Sequence, residues 1–230
     1  MAVGLLEPNE GWRVKPAYSL GETARLAGTT AATVRRWLWG YERPGHQMKP
    51  VFGAKDKRAV AVVSFLELAE IVVVAALRQK KNIKLERLRR AHAFAAERFG
   101  LDYPFATLKM KTDGVHVLTE YQHEEPGASL LALDMSGQWT LPGLVAERLE
   151  MFDFEATWAA RWFPAGRNVP IVVDPRMGAG QPTVMDRGVT VEAIRRRWKA
   201  GQSIRIISSE YRLQTQVVEK VLQYSEKYAA

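Results

Sequence analysis

Between Ser19 and Pro44 the chain reads SLGETARLAGTTAATVRRWLWGYERP, which places Thr29, Thr30 and Thr33 just ahead of Arg35, Arg36 and Arg43. These residue types at this spacing suit duplex DNA: arginine forks onto O6 and N7 of guanine, and threonine meets a phosphate or a thymine methyl. Arg35 and Arg36 lie about 100° apart on a helix, so one is expected to read bases and the other to hold phosphate. Positioning them requires two short helices joined by a tight turn. Such a helix-turn-helix needs a small residue where the helices cross, a turn residue tolerant of left-handed geometry, and apolar positions seating the second helix. Ala24, Gly28, and Val34 with Trp37 meet these needs in that order. The second helix is predicted over Thr30 to about Trp39, with Thr30, Thr33 and Arg36 facing the major groove.

The flanking elements extend the same chemistry. Ser19-x-x-Glu22 and Ser64-x-x-Glu67 are capping boxes, each opening a helix. Between them Pro44, Gly45, Pro50 and Gly53 break the chain, and Ala59 to Val63 is short and β-prone, so a turn-rich hairpin is predicted. Lys55, Lys57 and Arg58 fall in it, where a wing tracks phosphates or the minor groove. From Ser19 to Val60 eight basic residues stand against three acidic ones. Phe65 to Leu77 is apolar on nearly all sides, so it must be covered by other elements or by a partner subunit. A following helix puts Leu85, Leu88, His92, Ala95 and Phe99 on one stripe and ends at Gly100. The competing reading of the segment from Ser19 is a helical pair used only for packing.

Composition narrows the classes. The chain has 230 residues, 47% hydrophobic, no cysteine and a formal net charge of +8. Lack of cysteine excludes a disulfide framework, thiol catalysis and thiolate metal sites. No apolar run approaches the roughly 20 residues of a membrane span, and the N-terminus lacks a signal pattern. A cytoplasmic setting is expected. Asp113 to Glu155 holds nine acidic residues against Arg148 alone, a net of −8, which leaves +16 for the remainder. That asymmetry points the basic parts toward a polyanion. The acidic block reads as β-rich at Gly114 to Tyr121 and Ser129 to Met135, then as a short helix around Leu144 to Met151. After a boundary at Pro164 to Pro170 come a strand at Pro170 to Asp174, a turn from Asp174 to Gly180, and helices at Val191 to Ala200, Ser203 to Glu210 and Thr215 to Tyr228. No internal repeat stands out.

Several residues have bland readings. The four histidines lack metal-ligand spacing, His92 reads as a hydrogen-bonded core or interface residue, and Gly178-Ala179-Gly180 reads as a turn. Glu124 and Glu125 are adjacent and so point apart, and no serine, histidine and acid constellation stands out; the residues give no support for an enzyme, a metal or a cofactor.

Helix-turn-helix, basic hairpin, then Ser64-Phe65-Leu66-Glu67-Leu68 and two helices, over about Ala17 to Phe105, resembles the winged-helix DNA-binding domain of MerR-type regulators. The C-terminal part resembles a small domain of formerly unknown function found in VapB-type antitoxins. That likeness rests on Asp174-Pro175, Gly180-x-Pro182, Gly188, Val191, the Ala200-Gly201-x-Ser203 turn, Tyr211 and Leu222-x-Tyr224. It departs from the family where Asp186-Arg187-Gly188-Val189 replaces a common Arg-Gly-Thr-Arg run, so a contact by the second arginine of that run does not transfer. The expected fold is therefore mainly α with small β elements: an arm over 1–17, a winged helix-turn-helix domain over 18–110, an acidic β-rich connecting segment over 111–165, and a three-helix domain with a short strand over 166–230.

The resemblance implies a type II antitoxin: a homodimer that binds a PIN-like ribonuclease toxin and represses its own operon by binding operator DNA, with half-sites about 34 to 36 Å apart or a multiple of that. Arg195, Arg196, Arg197, Trp198 and Tyr211 are the candidate toxin-binding residues, because arginine meets carboxylates bidentately and tryptophan anchors interfaces. Equally compatible with these residues, Ile194 and Trp198 face their own core and the arginines are solvated. The rival functions are a MerR-like regulator responding to a small molecule, without a toxin, and an enzyme acting on nucleic acid.

Overall fold

A computed structural model describes residues 11–52, 62–81, 83–112 and 141–228. Of the predicted hairpin, the part carrying Lys55, Lys57 and Arg58 lies outside those residues, as do the predicted strands at 114–121 and 129–135; its Pro44-Gly45 turn is described, and Val62 and Val63 pair with the strand at Pro16–Ser19. The fold is mainly α, with small sheets of two or three strands. It divides into two compact units: Met1–Glu150 with Phe154–Ala159, and Met151–Asp153 with Ala160–Ala230. No helix among the described residues is long and apolar enough to cross a membrane.

In the first unit β1 (Pro16–Ser19) leads directly into α1 (Leu20–Ala27). The predicted box closes this start: the Ser19 amide donates to Glu22 Oε2 at 2.8 Å and the Glu22 amide to Ser19 Oγ at 3.2 Å. α2 (Ala31–Trp39) follows, then β2 (Tyr41–Arg43) and β3 (His46–Met48), an antiparallel pair that pivots at Pro44-Gly45. β4 (Val62–Ser64) pairs antiparallel with β1 across a bulge near Pro16 and Tyr18. The second box opens α3 (Phe65–Lys81), with the Ser64 amide donating to Glu67 Oε2 at 2.7 Å. α4 (Leu85–Phe99) ends at Gly100 in the left-handed conformation, a 3-10 turn spans Pro104–Ala106, and α5 (Leu108–Thr112) and α6 (Leu141–Leu149) are the next helices among the described residues.

α3 is buried on nearly every side, as its sequence demands, and its cover comes from within its own unit: α1, β1, β4, the 3-10 turn and α6. No partner subunit is needed to explain it. Two acids are buried along this apolar helix, Glu67 in its capping box and Glu70 one turn on. Glu70 is fully buried, and its Oε1 lies 2.9 Å from His92 Nε2 on α4 and accepts the Phe105 amide at 3.2 Å. The His92 ring is held edge-on between Phe52 and Phe105, so the apolar-stripe histidine is a hydrogen-bonded core residue that ties α3, α4 and the 3-10 turn together. Ahead of β1, Arg13 is buried, donates through Nε to the Ala159 carbonyl and pairs with Glu155 at 3.2 Å. The first seventeen residues thus include a well-packed anchor where the sequence suggested an arm or a loose strand.

β5 (Phe152–Glu155) and β6 (Trp158–Trp162) are the elements through which the boundary between units runs. The second unit continues with an antiparallel sheet of β7 (Ile171–Val172), β8 (Thr183–Val184) and β9 (Val189–Thr190) in that order. Three helices follow: α7 (Val191–Lys199), α8 (Ile204–Tyr211) and α9 (Thr215–Tyr228). Ile171, Val184, Ile194, Ile207, Val218 and Val221 make their common core.

Asp174, just after β7, organises the turn that leads to β8. Its Oδ1 accepts the Arg176 amide and Nε, both at 2.9 Å, and its Oδ2 accepts Arg176 Nη2 at 2.9 Å and Arg161 Nε at 3.1 Å. Burial pushes this carboxyl up, but the side-chain and backbone hydrogen bonds of Arg176, with those of Arg161, outweigh it and hold the carboxyl below its ordinary value. A depressed folded-state value stabilises the fold above the unfolded carboxyl's value of about 3.9 and loses that contribution as pH falls through the folded one. The second unit is therefore expected to weaken in acid below about pH 4, and Asp174→Asn to flatten that dependence. Urea denaturation across pH 2.5–6 measures it; equal slopes in both proteins would contradict the assignment.

Candidate nucleic-acid interface

The turn between α1 and α2 sets everything on this face. Gly28 has φ 63° and ψ 39°, a conformation that costs glycine nothing and penalises a Cβ-bearing residue. Its amide and that of Thr29 donate to the Arg25 and Ala24 carbonyls, at 2.8 Å for Thr29 to Ala24, so the last turn of α1 does not leave these carbonyls unpaired. From α3, Gln79 Nε2 donates to the Gly28 carbonyl and fixes the turn from below. Ala24, Val34, Trp37 and Leu38 are buried between the helices.

What remains outside is the face the sequence singled out. Thr30 caps α2, its Oγ1 accepting the Thr33 amide at 3.1 Å and lying 2.9 Å from Thr33 Oγ1. Thr30, Arg35 and Arg36 are exposed, while Thr29 and Thr33 are half-buried. Neither arginine has an acidic partner among the described residues. Arg35 lies over the Trp39 ring at 5.9 Å and Arg36 over the Tyr41 ring at 5.3 Å. Flat aromatic supports hold guanidinium groups without neutralising them, so both charges remain available to an anion. Arg43 lies on β2.

Sequence reasoning missed the parts that hold the hairpin here. Gly40 ends α2 at φ 69°, and a Cβ placed on it would come within 2.3 Å of the Met48 carbonyl oxygen. The hairpin can therefore fold back tightly only onto a glycine. The Val51 amide donates to the Trp37 carbonyl at 2.7 Å, and Arg89 on α4 donates to the Lys49 and Pro50 carbonyls, each at 2.9 Å. The only available signals were a glycine after a helix and an arginine off an apolar stripe. Between the hairpin and α4 lies an open cleft of about 700 Å³ lined by Trp39, Tyr41, Met48, Pro50 and Arg89.

The second candidate set, on α7 and α8, separates into two groups. Arg197 donates to Tyr211 Oη at 2.7 Å and Gln202 Oε1 at 3.2 Å and pairs with Glu210, while Arg195 pairs with Glu192 at 3.1 Å. The Arg197 contacts brace α7 on α8 and the turn between them, while the Arg195 pair lies within α7. Arg196 is exposed, and Trp198 is 42% exposed while Ile194 is buried. Among the described residues no group of three histidine, aspartate or glutamate side chains is arranged to hold a metal ion.

Comparison with known proteins agrees with this division. Residues 16–92 match the family described as "putative DNA-binding HTH domain", and residues 171–225 match DUF433, described as a protein of unknown function. The first match covers all of β1 through α3, and the second covers all of β7 through α8. Across 212 residues it is 26% identical to "putative antitoxin VapB45" of Mycobacterium tuberculosis, covering 85% of this chain and 88% of that one. It is 25% identical over 230 residues to the uncharacterized protein Rv2308 of the same organism, covering 93% and 92%. The crystal structure of Rv2018 from Mycobacterium tuberculosis has the same fold, with a TM-score of 0.74 at 24% identity over 90% of this chain and 98% of that chain.

Gly40→Ala is expected to lower stability by about 1–3 kcal/mol, through backbone strain and the clash with the hairpin. Urea unfolding followed by tryptophan fluorescence reads this directly. A variant as stable as the parent would show that the hairpin does not depend on this close approach.

Proposed function

We propose that this chain is a DNA-binding antitoxin of the type II class: a homodimer that represses its own operon and neutralises a PIN-like ribonuclease toxin. The observation that carries the DNA half is the solvent-facing group of Thr30, Arg35 and Arg36 just past the Gly28 turn, with both guanidinium groups unneutralised. In this reading α2 enters the major groove of the operator, with Thr29, Thr30, Thr33, Arg35 and Arg36 meeting bases and phosphates. Arg43 on the hairpin, with Lys55, Lys57 and Arg58 beyond it, tracks the backbone as a wing. The domain so used spans 18–110, the acidic segment 111–165 connects it, and 166–230 engages the toxin. The cytoplasm is where both partners would be met.

The toxin half is supported by the name of the VapB45 relative and by the exposed Arg196 and Trp198 on α7. An exposed arginine and a partly exposed tryptophan, two residues apart on one helix, are residue types that suit an acidic nuclease site rimmed with apolar surface. Arg197 and Tyr211 hold that helix in place, and Arg195 pairs along it with Glu192. The open cleft beneath the hairpin favours a second reading, a MerR-like regulator in which a small, largely apolar ligand shifts Tyr41 and the Arg36 above it. A reading frame for a PIN-like protein beside this one supports the antitoxin; co-purification with a small ligand alone supports the regulator.

Arg36→Ala is expected to weaken binding to the DNA upstream of the chain's own reading frame by about 1–3 kcal/mol if it contacts a base, whereas Lys57→Ala mainly reduces the salt slope. Gel-shift titrations at several salt concentrations separate the two, and unchanged affinity in both variants would remove the proposed face. For the partner, co-expression with the neighbouring reading frame and pull-down is the test. Removing 170–230 should abolish capture, and retained capture would move the binding surface elsewhere.

A further inference from the structure

The second unit repeats the backbone of the first helix-turn-helix, although the sequence shows no repeat. Ser203 caps α8 as Ser19 caps α1, and each helix runs eight residues. Each then ends on a left-handed residue at the same distance from its cap: Gly28 at φ 63° and Arg212 at φ 52°. The closing hydrogen bonds correspond, Thr29 amide to Ala24 carbonyl at 2.8 Å and Leu213 amide to Ser208 carbonyl at 2.9 Å. Ser208, buried, stands where Ala24 does. The next helix opens with matching bonds, Val34 amide to Thr30 carbonyl at 3.0 Å and Val218 amide to Gln214 carbonyl at 3.2 Å. It is then seated through Val218, Val221 and Leu222 where α2 uses Val34, Trp37 and Leu38.

From this correspondence we propose that the second unit is a second duplex-DNA-contacting module, with α9 as its groove helix. The proposal rests on the reading that the first unit binds duplex DNA. The outward face of α9 carries Thr215, Gln216, Glu219, Lys220 and Gln223, all exposed. Glutamine pairs bidentately with adenine N6 and N7, and glutamate accepts from cytosine N4, so this face suits base edges. Arg212 in the turn is exposed, without an acidic partner among the described residues, and is placed to hold a phosphate at the start of the helix.

The differences between the two faces set the strength of the contact. Glu219 occupies the position of Arg35, and Lys220, in the position of Arg36, donates to the Asn168 carbonyl at 3.3 Å. Because Glu219 offsets Lys220 on its outward face, α9 itself gains little from counterion release and binds weakly alone. Joined to a stronger module it acts at a high effective concentration, which turns a weak contact into added affinity and a longer site.

The test uses the full-length chain and duplexes selected by it from a random 40-base-pair pool. Gln216→Ala/Gln223→Ala changes two exposed side chains, and circular dichroism and the melting temperature verify that the fold is kept. The double variant should bind the selected duplexes about tenfold to a hundredfold more weakly, with a protected region shortened at its ends and a salt slope close to the parent's. Gln216→Glu/Gln223→Glu, which keeps shape and adds charge, should lose at least as much. If both double variants keep the parent's affinity and footprint while Arg36→Ala abolishes binding, the second module is overturned and the first stands. If the full-length protein selects no duplex at all, the DNA reading beneath both is lost.

Discussion

Two short helices can present a common outer face only if the chain between them turns sharply while its backbone groups stay paired, and here that requirement falls on Gly28. Its left-handed conformation lets the end of α1 close on itself and sends α2 across at an angle that buries Val34, Trp37 and Leu38. With those residues inside, the helical period leaves Thr30, Arg35 and Arg36 outside. The turn is held from α3 through Gln79, so the geometry of the face is inherited from the core of the unit.

That core explains why the face is firm. α3 is apolar almost all round because helices, strands and the 3-10 turn of its own unit press on it, and its fully buried acid, Glu70, is satisfied on Oε1 by His92 and the Phe105 amide. α4, fixed by the same pair, carries Arg89, which holds the chain leaving the hairpin through two backbone carbonyls. A polar contact deep inside thus connects through one helix to the hairpin beside α2, and Gly40 permits the hairpin to lie close enough for Tyr41 to support Arg36.

Much of this could be read before any coordinates. Both capping boxes, Gly28, Gly100, the burial of His92 and the three C-terminal helices were legible because each depends on local chemistry: a hydroxyl at a helix start, a glycine at its end, an apolar period along it. What was not legible depends on distant partners. Nothing near Arg13 in sequence announces Ala159 and Glu155, and nothing near Arg89 announces Lys49 and Pro50. Arg197 and Tyr211 looked like a free cation and an interface aromatic, yet they bond to each other once α7 and α8 pack. The second turn was hidden for a different reason: Arg212 adopts the left-handed conformation without being glycine, and Ser208 does the work of Ala24.

The central claim is that the residues after Gly28 form the surface that lies against duplex DNA. Amide hydrogen exchange of the full-length chain, with and without the DNA upstream of its own reading frame, examines that surface without altering it. The account predicts slowed exchange concentrated at residues 29–41 when the duplex is bound. Binding with no protection there, and protection confined to other parts of the chain, would contradict it.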